Sequence, residues 1–205
     1  KMCGDDIYNT FIKGYTEKQW GRRATELPSF IIKRIPLRFV YNNNYFNDTY
    51  QGIPVGGYTP IIESMIKGAE VQINTDYFEN KTYFDSLAPK MIFTGRIDEF
   101  FDFKFGKLEY RSLHFEHERL EINDFQGNAV VNYNEFDVPF TRIIEHKHFE
   151  FGTQPFTIVS KEFPNEYSKD SEPYYPVNDE RNHTILGKYK ELAKAYGNIY
   201  FGGRL

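Results

Sequence analysis

The residues best suited to chemistry crowd into one stretch near the N-terminus. Phe11, Tyr15 and Trp20, the single tryptophan of the chain, stand among polar neighbours in Phe11-Ile12-Lys13-Gly14-Tyr15-Thr16-Glu17-Lys18-Gln19-Trp20-Gly21. Arg22-Arg23, Lys33-Arg34-Ile35-Pro36-Leu37-Arg38-Phe39 and Asn42-Asn43-Asn44-Tyr45-Phe46 follow. An aromatic face can hold a flat ring, worth about 1–3 kcal/mol per stacked base. The planar fork of arginine gives two charge-assisted hydrogen bonds to phosphate oxygens. The stretch therefore reads as a nucleotide-handling surface. Composition alone keeps a second reading open, in which Tyr15 and Trp20 cover a helical corner and Arg22-Arg23 is a solvated face.

The elements that must position these residues alternate between helix and strand. Asp5 or Asp6 can cap a first helix that buries Ile7, Tyr8 and Phe11 and stops at Gly14. Thr16 then opens a second, with Gln19 completing a capping box before Gly21. Residues 22–38, which include Pro28 and Pro36, predict a short helix within a loop expected to move. Thr59-Pro60 starts a helix through Ile61, Ile62, Met65 and Ile66 that ends at Gly68. Residues 71–74 alternate as a strand, and 91–95 form a short apolar run that predicts a buried one. Residues 110–121, 129–132, 141–146 and 156–159 predict antiparallel strands with one wet face, and 184–196 an amphipathic helix before a last strand at 199–201.

The fold class that follows is α+β, an antiparallel sheet with a helical subdomain. The segments divide as 1–70, helical with the loop; 71–109, strand and helix; 110–182, the sheet; and 183–205, helix and strand. With 205 residues and 40% hydrophobic content the chain can bury a substantial core. Aromatics make up 18%; the phenylalanines read as packing, and the tyrosines as groups that keep a hydroxyl near water or ligand. A net charge of -4 argues against nucleic acid. One cysteine, Cys3, excludes an internal disulfide framework and, with no signal-like or membrane-length apolar run, points to a cytoplasmic protein. His146 and His148, placed on one side of a strand without a cysteine or carboxylate cluster, read as structural, as do His114 and His117, so no metal is expected.

Five ordered motifs resemble the UDP-galactopyranose mutase family closely. They are Gly14-Tyr15-Thr16-x-Lys18-Gln19-Trp20-Gly21 with Lys33-Arg34-x-Pro36-x-Arg38-Phe39 and Tyr45-Phe46; Gln51-Gly52-Ile53-Pro54-x-x-Gly57-Tyr58-Thr59; Asp137-Val138-Pro139-Phe140-Thr141-Arg142-Ile143-Ile144-Glu145-His146-Lys147; Pro173-Tyr174-Tyr175-Pro176; and Phe201-Gly202-Gly203-Arg204-Leu205. The resemblance implies an isomerase that interconverts UDP-galactopyranose and UDP-galactofuranose with reduced FAD, whose N5 attacks the anomeric carbon as UDP leaves. It implies that Tyr15 stacks on the uracil, that Phe11 lines the same pocket, that Thr16 and Trp20 lie near the diphosphate and sugar, and that Asn132 adds a polar contact. Tyr45 and Tyr175 would donate hydroxyls to the phosphates, Arg34 and Arg142 would neutralise them from opposite sides, and Arg204 would meet the flavin phosphates. Ile12 stands where the family often has a second phenylalanine, which removes a stacking contact.

Members of that family carry a Gly-x-Gly-x-x-Gly turn for the flavin pyrophosphate, and this chain has none. The resemblance therefore implies a fragment, comprising the substrate-binding part and pieces at 91–95 and 199–204 that return to a Rossmann-like FAD domain. Such a fragment is expected neither to hold FAD nor to turn over alone. UDP and the two UDP-sugars are the expected partners, with no nucleic acid or membrane, and a homodimer is left open. A non-catalytic nucleotide-sugar-binding module and another flavoenzyme of amine-oxidase-like architecture are the alternatives; the arginines and phosphate-facing tyrosines weigh against the latter.

Overall fold

A computed structural model of the protein describes residues 4–29, 31, 40–42 and 46–203. These fall into two compact units, one built from residues 1–47 and 108–185 and the other from 48–107 and 186–205. The class is α+β, as the alternation of patterns predicts.

The first unit is a five-stranded antiparallel sheet with a helical rod. Its strands are β2 (Tyr110–Leu120), β3 (Val130–Asn132), β4 (Arg142–Glu145), β5 (Thr157–Glu166) and β6 (Tyr175–Pro176), in the order β3-β4-β5-β2-β6. Strand β5 runs seven residues beyond the predicted end at Val159. Lys161 and Glu162 break the apolar alternation there, yet Glu162 is only 5% exposed and pairs in register with Arg142. A carboxylate can occupy a buried strand position when a cation meets it, and a hydrophobicity pattern has no means of registering that.

The rod consists of α1 (Gly4–Ile7), a π-helical stretch (Tyr8–Lys13) and α2 (Gly14–Trp20). The backbone stays right-handed helical at the junctions Ile7, Lys13 and Gly14, so the three pieces are continuous. Gly14 is thus not a helix stop, Asp5 and Asp6 lie in the first turn, and Thr16 is a buried mid-helix residue rather than a cap. The true stop is Gly21, left-handed at φ 63°, whose N–H donates to the carbonyl of Glu17. Gly14 serves packing instead. A Cβ there would collide with the carbonyl oxygen of Asn134, so the rod meets the 133–140 loop backbone to backbone. One turn later Lys18 Nζ donates to the carbonyls of Tyr133 (2.8 Å), Val138 (3.0 Å) and Phe140 (2.9 Å), which pins the loop to the helix.

The second unit contains α3 (Thr59–Met65), a 3₁₀ turn at Tyr77–Asn80, α4 (Lys81–Leu87), α5 (Ile97–Phe100) and the parallel pair of β1 (Met91–Phe93) with β7 (Ile199–Phe201). Helix α6 (Glu180–Ala193) begins among first-unit residues and ends among second-unit ones. Phenylalanines do form this core. Phe100 is 2% exposed and its ring lies 4.9 Å from Phe93, 5.0 Å from Phe201 and 5.1 Å from Phe101. Tyr189 is fully buried, with its hydroxyl donating to the Gly106 carbonyl and accepting from the Phe105 N–H. The strand predicted at 71–74 does not form; Val71 and Ile73 are exposed and pair with no neighbour. Among the described residues no helix is long and apolar enough to cross a membrane.

Alanine normally stabilises a helix interior over glycine by about 0.5–1 kcal/mol. At Gly14 the sign should reverse. Gly14→Ala is expected to lose about 1–3 kcal/mol, the usual cost of overpacking, measured as a lowered denaturation midpoint in urea; an unchanged or raised midpoint would mean that the rod and the loop do not touch here.

Candidate functional site

The rod and the sheet bring predicted residues together around Arg142, the first residue of β4. Its Nη2 donates to the Tyr15 hydroxyl at 2.6 Å, and its Nε lies 3.1 Å from Glu162 Oε1. The second contact is an ion pair poorly aligned for a hydrogen bond, which leaves Nε buried without an acceptor among the described residues. Glu162 is anchored in turn by the Thr141 hydroxyl at 2.8 Å. Burial works against the charge of Arg142, but Tyr15, Glu162 and Tyr175 outweigh it, and the guanidinium pKa lies above its ordinary value. The cation is therefore permanent.

Tyr175, on β6 where it pairs with Arg111 of β2, adds to the electrostatics that keep Arg142 charged. Asn132 pairs with Arg142 from β3, its residue exposed at the sheet edge. Phe11, four residues before Tyr15 on the rod, is 60% exposed. Phe11, Tyr15, Asn132, Arg142 and Tyr175 thus all belong to the first unit, and the rod, β3, β4 and β6 carry them. Thr16 and Trp20 are on the buried side of the rod, and Trp20 Nε1 is a buried donor without an acceptor among the described residues. Ile12 is also buried. Arg34, Tyr45 and Arg204 lie outside the described residues.

Sequence reasoning missed three supporting residues. Glu162 was hidden by the early end given to β5. Lys18 was visible in the motif, but its three carbonyl partners are more than a hundred positions away. Arg111 is buried against the end of the rod, with Nε donating to the Gln19 carbonyl at 3.2 Å and Nη1 standing 3.0 Å from where a Cβ on Gly21 would lie. Burial lowers its pKa, Glu166 offsets that in part, and Arg22 adds to it. Arg22 itself bridges Asp179 (2.9 Å) and Glu109 (3.1 Å), so the solvated face is an exposed ion-pair network.

His146 and His148 do not share a strand face. They belong to a 3₁₀ turn, His146–Phe149, and point to different partners. His148 Nε2 is 3.2 Å from Glu145 and 3.5 Å from Asp124, which places ligand-type atoms of all three within 4.8 Å of one another. Glu145 is already committed. Its oxygens accept from the Phe125 and Gln126 N–H groups and the Thr157 hydroxyl, so the carboxylate closes the 124–127 turn.

The resemblance also implies a flavin. The described residues contain no Gly-x-Gly-x-x-Gly turn leading into a helix N-terminus, and the one flavin contact expected, Arg204, is outside them.

A family model described as UDP-galactopyranose mutase matches residues 10–205. The chain is 39% identical over 211 residues to the dTDP-fucopyranose mutase of Escherichia coli, covering 100% of this chain and 56% of that protein. It is 38% identical to a probable UDP-galactopyranose mutase of Klebsiella pneumoniae (100% and 53% covered) and 31% identical to the UDP-galactopyranose mutase of Mycoplasma pneumoniae (93% and 52% covered). The chain spans about half the length of the curated relatives it matches.

Two expectations follow from the charged groups. Removing one member of a buried pair costs about 3–5 kcal/mol; Arg142 is partly exposed, so Glu162→Ala should lose about 2–3 kcal/mol. The double variant Glu162→Ala/Arg142→Ala should lose less than the sum of the singles by chemical denaturation; simple additivity would refute the coupling. Glu145 concerns acid stability. Burial raises its pKa, but the bonds from Thr157, Gln126 and Phe125 and the charge of His148 outweigh this and hold it below the ordinary value near 4.5. A depressed folded pKa gives stability that is complete above the unfolded value and is lost as pH falls through the folded one. Glu145→Gln should lower stability at pH 7 by about 1–3 kcal/mol and flatten the fall below pH 4.5, seen in melts recorded from pH 7 to 3.

Proposed function

The chain belongs to the UDP-galactopyranose mutase family, and from that premise we propose that the whole protein interconverts the pyranose and furanose forms of UDP-galactose. The observation that carries this reading is the permanently charged Arg142 with tyrosines from two separate elements around it. A nucleoside-diphosphate sugar offers a flat base and two charged phosphates, and this is the matching set of groups. Tyr15 stacks on the base beside Phe11, and Asn132 adds a polar contact. Arg142 and the Tyr175 hydroxyl hold the diphosphate, joined by Arg34 and Tyr45. Thr16 and Trp20 stand next to the diphosphate and sugar, Trp20 through its indole N–H.

Reduced FAD, held by the whole protein, would supply the nucleophilic chemistry. The residues of this chain do the rest. Departure of the nucleoside diphosphate places negative charge on its terminal phosphate, and a fixed guanidinium stabilises that charge without reorganising. Glu162 and Thr141 hold the guanidinium in place, so its orientation is set before substrate arrives. Arg204 would contact the flavin phosphates.

A second reading rests on the Escherichia coli relative named dTDP-fucopyranose mutase, which matches this chain as well as the galactopyranose relatives do. The diphosphate contacts suit both substrates. The two nucleotides differ at the base methyl and the ribose 2′-hydroxyl, and the two sugars at the 6-hydroxyl.

The test uses the whole protein. UDP is expected to compete with UDP-galactose in calorimetric titration, and Arg142→Ala to weaken UDP binding at least about tenfold, or 1.4 kcal/mol. Absence of competition would remove nucleoside-diphosphate sugars as the substrate class. The ratio of kcat/KM for UDP-galactofuranose and dTDP-fucofuranose then decides between the readings, a ratio below one favouring the second.

A further inference from the structure

Away from Arg142, two histidines converge on one buried oxygen. His117 Nδ1 and His146 Nε2 each lie 2.6 Å from Ser160 Oγ, and Ser160 is 1% exposed. The fold builds this meeting from three neighbouring strands. Ser160 is on β5, between β2 and β4, and pairs in register with His117 on one side and Ile144 on the other. His146 follows β4 at the start of its 3₁₀ turn. Strand alternation sends Glu116 and Glu118 to the opposite face, so no carboxylate of β2 joins the pair. The Phe115 ring lies parallel to His117, at 6.3 Å and 5°. On the same face, two residues further along β5, Glu162 is already committed to Arg142 and Thr141.

A serine hydroxyl can donate once and accept. It can donate to one neutral imidazole while accepting from the other, so the arrangement is complete with both rings neutral. Protonating the accepting ring would turn both facing nitrogens into donors and leave the hydroxyl hydrogen without a partner. Burial and His117 both lower the pKa of His146, in keeping with a neutral ring. Neutral imidazole is also the metal-ligating form.

We propose that His117 and His146, with the Ser160 hydroxyl between them, form a binding site for a divalent late transition metal ion of the zinc and copper class. Imidazole nitrogen suits these ions, whereas calcium and magnesium require oxygen ligands. The two nitrogens already face the same Ser160 oxygen. An ion bound about 2 Å from each nitrogen would replace their hydrogen bonds to that oxygen as the exposed rings turn, with water in the remaining positions. The Asp124, Glu145 and His148 group is the competing location, and it is the poorer one because the Glu145 oxygens are saturated.

The experiment takes the whole protein, stripped with chelator, and titrates it with ZnCl2 by calorimetry, with MgCl2 as the control. Zn2+ is expected to bind and to raise the melting temperature, and Mg2+ to do neither. His117→Asn and His146→Asn should each weaken Zn2+ binding at least about tenfold, while His148→Asn leaves it unchanged. Undiminished binding in the double variant, or loss of binding in His148→Asn, overturns the proposal. A readout on the wild-type protein guards against variants that fail to fold. Long-range proton–nitrogen spectra should show Zn2+ shifting His117 Nδ1 and His146 Nε2; shifts confined to His114, His148 or His183 would refute the site.

Discussion

The first unit turns on keeping one guanidinium charged where water is scarce. An ion taken from water needs an opposite charge and hydrogen-bond partners, or folding is penalised by several kcal/mol. Arg142 has Glu162 beside it and the Tyr15 hydroxyl at one nitrogen, and the Thr141 hydroxyl steadies the carboxylate. Each partner comes from a separate piece of the fold. The register of β4 against β5 sets the ion pair, and the approach of the rod sets the tyrosine. The charge therefore constrains how rod and sheet meet.

That meeting is secured at both ends of α2. Gly14 removes a side chain where backbone meets backbone, and Lys18 donates to three loop carbonyls. At the other end Gly21 turns the chain left-handed and leaves room for the Arg111 guanidinium. The conspicuous motif residues thus divide in two. Tyr15 faces the charged cluster, while Gly14, Lys18 and Gly21 hold the helix that presents it. The second unit is stabilised differently, by ring against ring around Phe100, with Tyr189 as the buried polar member whose hydroxyl is satisfied on both sides.

Local chemistry in the sequence determined a good deal. Apolar alternation marked β2 and β4, the short run at Met91–Phe93 marked β1, and the Tyr15, Arg142 and Tyr175 motifs marked the residues that gather at the cluster. These features are legible because periodicity, and chemical type within a motif, are properties of neighbouring residues. Tertiary structure alone decided the rest. Glu162 looked like the end of a strand until Arg142 met it, Gly14 looked like a helix stop until the 133–140 loop was set against it, and His117 and His146 looked unrelated until β5 placed Ser160 between them. Whether a charge can be buried, a glycine kept within a helix or two imidazoles made to converge depends on partners distant in the chain, and the positions of those partners are set only when the strands pair.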